Sequence, residues 1–308
     1  MTKLPNEEFR AMVPLLREEE FYEPEKEKPI SWPQYTLAQI EEARTRLAFI
    51  RDAVDDCRYM ERKGKTGRPL TNPKSLAKAI LVCESFGFTE REAQGWLEIL
   101  SPYLGIKEKL DDKTIGDAYD KVEVIFILKQ IFDKNKSSND ELCGDGTGLE
   151  TSRKQNYETN KKTKEFMTTI VDTREVVQAF DIYQHEKTAM HDLVFQVKGK
   201  SLRLDAGFVD KILVKKIVEN NMIPYIFPKK NLTLNGGPDW KNMYLELYYD
   251  VMQWLTEYHK RSHCESFHSS FKRRFGIVTK RKSFSQLTQI TARIILHNRK
   301  RLFYFNLI

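Results

Sequence analysis

Apolar positions along the chain change their period once, and the change divides the sequence into two parts. From Thr36 to about Arg62 they recur at three- and four-residue steps (Leu37, Ile40, Ala43, Leu47, Ile50, Val54), the spacing of an amphipathic helix. Pro73 to Phe86 predicts a second helix. Thr89-Glu90-Arg91-Glu92 has the spacing of a capping box and opens a third. Asp112-Lys113-Thr114-Ile115 opens a fourth, running to about Asp133. Before this series, residues 1 to about 34 carry Pro5, Pro14, Pro24, Pro29 and Pro33 and read as an irregular arm. Lys63 to Pro69 is a basic loop broken by glycine. Short helices with tight turns suit a helix-turn-helix-like DNA-binding unit, and equally an ordinary small bundle.

Residues 134–140 are polar and uncapped, and beyond them the pattern becomes that of strands. Leu142–Leu149, Phe166–Val171 and Val176–Tyr183 form a three-strand meander with a turn at Asp172-Thr173-Arg174. A short helix over 189–197 leads to a fourth strand, Ser201–Leu204. An amphipathic helix, Lys211–Asn220, leads to a fifth, Ile223–Phe227. After Gly236, Gly237 and Pro238, Asp239 is expected to cap one long helix that ends near Gly276. A last amphipathic helix spans about 285–301. The expected organisation is a helical region over 1–137 and an α/β domain over 138–308, with a mixed five-stranded sheet flanked by helices.

Charge adds a partner to this outline. The 308 residues carry a formal net charge of +7, with 40% hydrophobic and 31% charged positions. Between Glu257 and Lys282 eight Lys or Arg stand against two Glu, a local +6. Positive charge concentrated in one stretch points to a polyanion, most often nucleic acid. Cys57, Cys83, Cys143 and Cys264 form no CxxC pair and read as reduced, buried thiols. No apolar signal core opens the chain, and no run reaches the ~18 apolar residues of a membrane span. A soluble, cytoplasmic protein is expected.

The candidate chemistry lies in three carboxylates. Asp145 sits in the first strand between Gly144 and Gly146. Asp205 ends the fourth strand, where ligands of open α/β sheets collect. Glu265 lies on the long helix with Tyr258, Arg261 and Lys272. Setting Tyr258 at zero on a helical wheel puts these three at roughly −20°, −60° and −40°. One face thus holds a carboxylate between two cations. For a single charged residue, a solvated face with ion pairs is the commoner meaning. Three converging carboxylates are hard ligands suited to Mg²⁺ or Mn²⁺. Two such ions can clamp the attacking and leaving oxygens of an in-line phosphoryl displacement. Gly144-x-Gly146-x-Gly148 lacks the spacing of a nucleotide loop. His259, His263 and His268 fall on different helix faces and read as surface or DNA-facing.

Tyr258-x2-Arg261-x3-Glu265-x6-Lys272 resembles the Y-R-E-K signature of DDE transposases from prokaryotic insertion sequences. Asp205-Ala206-Gly207-Phe208 resembles that family's second-aspartate motif, and Gly144-Asp145-Gly146-Thr147 its first. Asn221 to Asn231 is similar to the family's fifth strand and exit. The resemblance spans roughly 74–305 and is strongest after Leu142. It implies a ribonuclease-H-like domain with the first and fourth strands side by side, and Asp145, Asp205 and Glu265 as catalytic, metal-holding triad. It further implies two Mg²⁺ or Mn²⁺ ions, and Tyr258, Arg261 and Lys272 as DNA contacts. The implied reaction is DNA cleavage and strand transfer at the element's ends, by a homodimer or larger assembly at the nucleoid. A nuclease of the same fold and a non-catalytic DNA-binding descendant are the alternatives. The chain departs from members with a large β-rich insertion before the last catalytic helix, since only a short loop stands there. That departure removes the basis for expecting a hairpin intermediate.

Overall fold

The computed structural model describes residues 4–16, 31–59, 70–152 and 164–307; the basic loop at 63–69 lies outside them. Packing divides the chain into two units. One comprises 1–29, 137–148 and 166–270, the other 30–136, 149–165 and 271–308.

The first unit is built on a five-stranded sheet. Its strands are β1 (Glu141–Glu150), β2 (Lys164–Asp172), β3 (Val177–Asp181), β4 (Ser201–Leu204) and β5 (Ile223–Ile226), in the spatial order β3-β2-β1-β4-β5. β2 and β3 pair antiparallel, while β1–β4 and β4–β5 pair parallel, so the sheet is mixed. The first and fourth strands are neighbours, as the ribonuclease-H-like fold requires. The turn between β2 and β3 is held by buried Asp172, whose Oδ1 accepts from the N–H groups of Arg174 (2.8 Å) and Val176 (2.9 Å). Such Asx geometry is what places aspartate at turns.

Helix α1 (Asn6–Leu15) belongs to this unit and corrects the expectation of an irregular arm. Phe9, Val13 and Leu16 recur at four and three residues and are buried with the core of the sheet unit. Phe9 meets the Tyr244 ring edge-on at 5.7 Å. Pro14 falls in the last turn, where its missing N–H removes one helical hydrogen bond without preventing the helix.

The helical unit contains α2 (Trp32–Asp55), α3 (Pro73–Phe86), α4 (Glu90–Leu104), α5 (Asp112–Ala118) and α6 (Val122–Lys134). α3 is its centre, with every residue from Ser75 to Glu84 buried. Asn72 caps its start through the Lys74 N–H, Pro73 occupies the first turn, and Gly87 ends it at φ +72°. The Thr89–Glu92 capping box forms as expected. The single helix expected from Asp112 to Asp133 is instead two, capped by Asp111 rather than Asp112. Bonds of the i→i−3 type from Asp120 and Lys121 tighten the chain between them. Buried Glu84 organises the core: Tyr119 Oη and Gln289 Nε2 donate to its Oε1 (2.8 and 2.9 Å), and Arg293 Nε donates to Oε2 (2.6 Å).

In the sheet unit, α7 (Glu186–Leu193), α8 (Lys211–Glu219), α9 (Pro238–Tyr249) and α10 (Val251–His259) accompany the strands. Helix α11 (Ser262–Phe275) follows α10, and α12 (Ser283–Leu307) closes the chain. The one long helix expected from Asp239 to Gly276 is therefore three helices. The first break is at Asp250, whose side chain caps α10 through the Gln253 N–H. The second is at Lys260-Arg261, where the N–H groups of Arg261, His263 and Cys264 all bond three residues back. The end at Gly276, φ +60°, is as expected.

Arg203 of β4 is fully buried and ties this second break to the sheet. Its Nε donates to the Glu257 carbonyl (2.5 Å), Nη2 to Glu257 Oε2 (2.5 Å) and Glu141 Oε1 (3.4 Å), and Nη1 to the Leu142 carbonyl (3.4 Å). Lys260 Nζ completes the network on Glu141 (2.8 Å) and Glu257 (3.0 Å). Removing one partner from a buried ion pair leaves the others uncompensated, at about 3–5 kcal/mol. Arg203→Leu is expected to lower unfolding free energy by about that amount in urea titration; a change under ~1 kcal/mol would show the network to be incidental.

Candidate active site

β1 and β4 deliver two of the three carboxylates to one end of the sheet. The last paired residues are Cys143 and Arg203, and Asp145 and Asp205 each lie two residues beyond them. A two-residue step keeps a side chain on the same face. The glycines around Asp145 stand in close quarters with neighbouring side chains. A Cβ on Gly144 would come within 2.7 Å of both Leu204 and Met190, and one on Gly146 within 2.5 Å of Glu186 Oε2. Asp145 Oδ1 accepts from the Gly146 N–H (2.8 Å). Asp205 caps the short 3₁₀ helix Ala206–Phe208 by accepting from the Gly207 N–H (2.7 Å).

The third carboxylate comes through the α10–α11 joint. Cys143 Sγ donates to the Lys260 carbonyl (3.5 Å), fixing the joint against β1. Arg261 follows and places its guanidinium between two acids, Nη1 at 3.6 Å from Asp145 Oδ2 and Nη2 at 2.5 Å from Glu265 Oε1. Glu265, Ser269 and Lys272 lie at four- and three-residue spacing on the exposed face of α11, while Cys264, Phe267, His268 and Phe271 are buried on the other. Lys272 is exposed and pairs with no described carboxylate within 4 Å.

Tyr258 does not share that face. It lies in α10, before the break, only 8% exposed. Its ring stacks on Trp254 (5.4 Å, 14°) and tilts against Phe227 (5.1 Å). Burial pushes its phenol up to about 12. The expected surface position of His268 is also corrected: the ring is buried, with Nε2 2.9 Å from Thr169 Oγ1.

The electrostatics follow from this crowding. Burial raises the Asp145 carboxyl to about 6, and the charges of Asp205 and Glu265 act in the same direction. The Gly146 N–H and Arg261 oppose the rise without cancelling it. Burial works against a charged Arg261, yet the Tyr258 phenol, Glu265 and Asp145 outweigh it and hold the guanidinium above its ordinary range. Among the described residues, no group of three or more His, Cys, Asp and Glu side chains is gathered closely enough to hold a metal ion. The donor chemistry nevertheless suits a hard cation: carboxylates that feel one another's charge, with Arg261 as the positive group between two of them.

The network of Arg203, Glu141, Glu257 and Lys260 went unread in the sequence. Its signal was one arginine inside an otherwise apolar, fully buried strand, Ser-Leu-Arg-Leu, two residues before Asp205.

Comparison with known proteins agrees with these features. The family described as "Transposase DDE domain" matches residues 136–299. A relative from Archaeoglobus fulgidus, named "Probable transposase for insertion sequence element ISA1214", is 24% identical over 279 residues, covering 86% of this chain and 85% of its own. No solved structure matches significantly.

An acid whose folded value is raised stabilises the fold while protonated and loses that contribution as pH rises. The window runs from about 3.8 to about 6 for Asp145. In chelator, Asp145→Asn is expected to exceed the wild type in stability at pH 7–8 by on the order of 2–3 kcal/mol. The gap should close as pH falls below the unfolded-state value. Denaturant titration across this range checks it, and a gap that persists in acid would mean that the carboxyl is not the source. Matching 136–299 of its 308 residues, the chain belongs to the Transposase DDE domain family.

Proposed function

We propose that this transposase cleaves DNA at the ends of its insertion sequence and joins the freed ends to target DNA, with Asp145, Asp205 and Glu265 as its catalytic carboxylates. The observation that carries the reading is Arg261, whose guanidinium stands against both Asp145 and Glu265 while Asp205 bears electrostatically on Asp145. Residues from β1, the end of β4 and α11 thereby act on one another, in the order of the sequence motif.

The same three carboxylates would hold Mg²⁺ or Mn²⁺, two ions in this reading. When bound, these supply Lewis acidity at the phosphoryl oxygens. Water attacks a phosphodiester, a new P–O bond forms, the P–O3′ bond breaks, and the leaving 3′-oxygen takes a proton. The resulting 3′-hydroxyl attacks target DNA in the same way. Each step exchanges one P–O bond for another, so neither needs an energy-carrying cofactor.

Arg261 and Lys272 contact the DNA backbone as cations that position it without reading sequence. The Tyr258 contribution runs through Arg261, because the phenol is packed among core rings beside that guanidinium. The helical region before residue 138 supplies recognition of the element's ends. Its short helices joined by the three-residue turn Gly87–Thr89 motivate this. The active species is a homodimer or larger assembly on paired ends, which light scattering of the DNA complex tests. No described helix is long and apolar enough to cross a membrane.

Asp145→Asn, Asp205→Asn and Glu265→Gln should each abolish cleavage and strand transfer on end DNA while leaving DNA binding intact. An amide keeps the shape and loses the charge. Undiminished cleavage by any variant at saturating Mg²⁺ removes that residue from the triad. Cleavage without joining by the wild type would convert the reading to a nuclease.

Lys272→Ala should weaken binding about equally for all sequences. It should also reduce the log–log salt slope by ~0.9, the increment for one phosphate contact. A stably folded variant with an unchanged slope would remove Lys272 from the DNA contacts.

A further inference from the structure

Beside β5, at one edge of the sheet, lies a cavity of about 480 Å³ that the proposed reaction does not use. Its volume falls within the roughly 300–1,000 Å³ of ligand pockets. Three aromatic residues line it: Tyr225 of β5, Tyr249 at the end of α9 and Trp254 of α10. Two acids line it as well, Glu246 of α9 and Asp250 at the α9–α10 joint, and no lysine or arginine does. Tyr249 is 76% exposed and both acids are exposed, so the cavity opens to solvent. Asp145, Asp205, Arg261 and Glu265 take no part in its wall.

One oxygen of Asp250 accepts the Gln253 N–H at 3.2 Å as the cap of α10. Among the described residues, neither acid has a lysine or arginine nitrogen within 4 Å. Aromatic faces are negative, so rings and carboxylates together attract one kind of group, a cation. A phosphate of DNA would meet only repulsion from them. Planarity narrows the cation further. A guanidinium stacks on an aromatic face and meets carboxylates with its N–H fork, whereas an ammonium is a compact point charge. Tyr225 already takes part in such a contact from the protein's own side. The buried Arg203 guanidinium lies 5.6 Å from its ring centroid, with its charge balanced by Glu141 and Glu257.

We propose that this cavity takes the guanidinium of an arginine side chain presented by a second copy of this chain. Charge complementarity carries the choice of a second copy: each copy has a net charge of +7 and so brings surplus cations to an acidic cavity. The second copy rests on the proposed assembly on DNA; the guanidinium site does not. The probe is N-acetyl-arginine N-methylamide, with the citrulline analogue as its uncharged isostere. Each is titrated into the full chain without DNA while the indole N–H resonances of the four tryptophans are followed. Trp254 is the reporter, since it lines the cavity and its Nε1 has no hydrogen-bond partner.

The Trp254 resonance, assigned with Trp254→Phe, should move with the arginine probe and stay in place with the citrulline analogue. Glu246→Gln and Asp250→Asn should each weaken the arginine probe about two- to fivefold, the range of exposed ion pairs. Asparagine keeps an acceptor for the Gln253 N–H, so Asp250→Asn should preserve the cap of α10. A resonance that ignores both probes or follows both equally would overturn the site, as would unchanged affinity in both variants. The source of the arginine is read by sedimentation on end DNA. The wild type should bring two or more copies together, and the double variant should lose that assembly while still binding DNA. Equal assembly by the two would overturn the second copy as source. A wild type that binds DNA without assembling would defeat the proposed assembly and the second copy with it, while the probe titration still reads the cavity.

Discussion

A guanidinium buried beneath the sheet fixes where the acidic residues stand. Arg203 has no exposed surface, so each of its N–H groups must find an acceptor inside the protein. The acceptors come from β1, through Leu142 and Glu141, and from α10, through both the backbone and the carboxylate of Glu257. Lys260 brings a second cation to the two glutamates. Two cations against two carboxylates leave this layer neutral. A shift of α10 along the sheet would expose uncompensated charge in a dry place, and that cost sets the register of the joint at Lys260-Arg261.

From that joint the site follows with little freedom left. Arg261 emerges beside β1, close to Asp145, and α11 begins one residue later with Glu265 in its first turn. Asp145 is the member held back from ionising, because burial and two like charges together outweigh one hydrogen bond and one nearby guanidinium. The site therefore has more negative charge than Arg261 can balance. That excess favours a further cation and resists a phosphate approaching alone. DNA needs cations nearby before it can come close, and Lys272 stands exposed on the face of α11 that carries Glu265.

Much of this could be read from the chain because short-range rules govern it. The strand at Ser201–Leu204 appears as expected, the one at Ile223–Ile226 ends one residue before the expected Phe227, and Thr89 forms the capping box that its spacing to Glu92 signals. The neighbouring places of β1 and β4 came from family resemblance, since parallel pairing leaves no local trace. What escaped reading was decided by distant contacts. A helical wheel assumes an unbroken helix, and the i→i−3 bonds around Arg261 break it. Tyr258 consequently turns to Trp254 and Phe227 instead of sharing the face of Glu265. His268 looked like a surface residue until Thr169 of β2 met it. Phe9 and Val13 were hidden by the prolines around them, because proline count says nothing about which turn a proline occupies.

The two units leave charge uncompensated in opposite senses, each for a reason internal to it. In the sheet unit, Asp145 and Glu265 crowd the one guanidinium of Arg261. Among the described residues of the helical unit, Arg46 takes both oxygens of Glu42, and the buried Nη1 of Arg274 has no acceptor. Neither imbalance helps folding. Buried like charges cost stability, and apolar residues of similar volume are often as stable or more so. Such costs are tolerated where an outside group removes them.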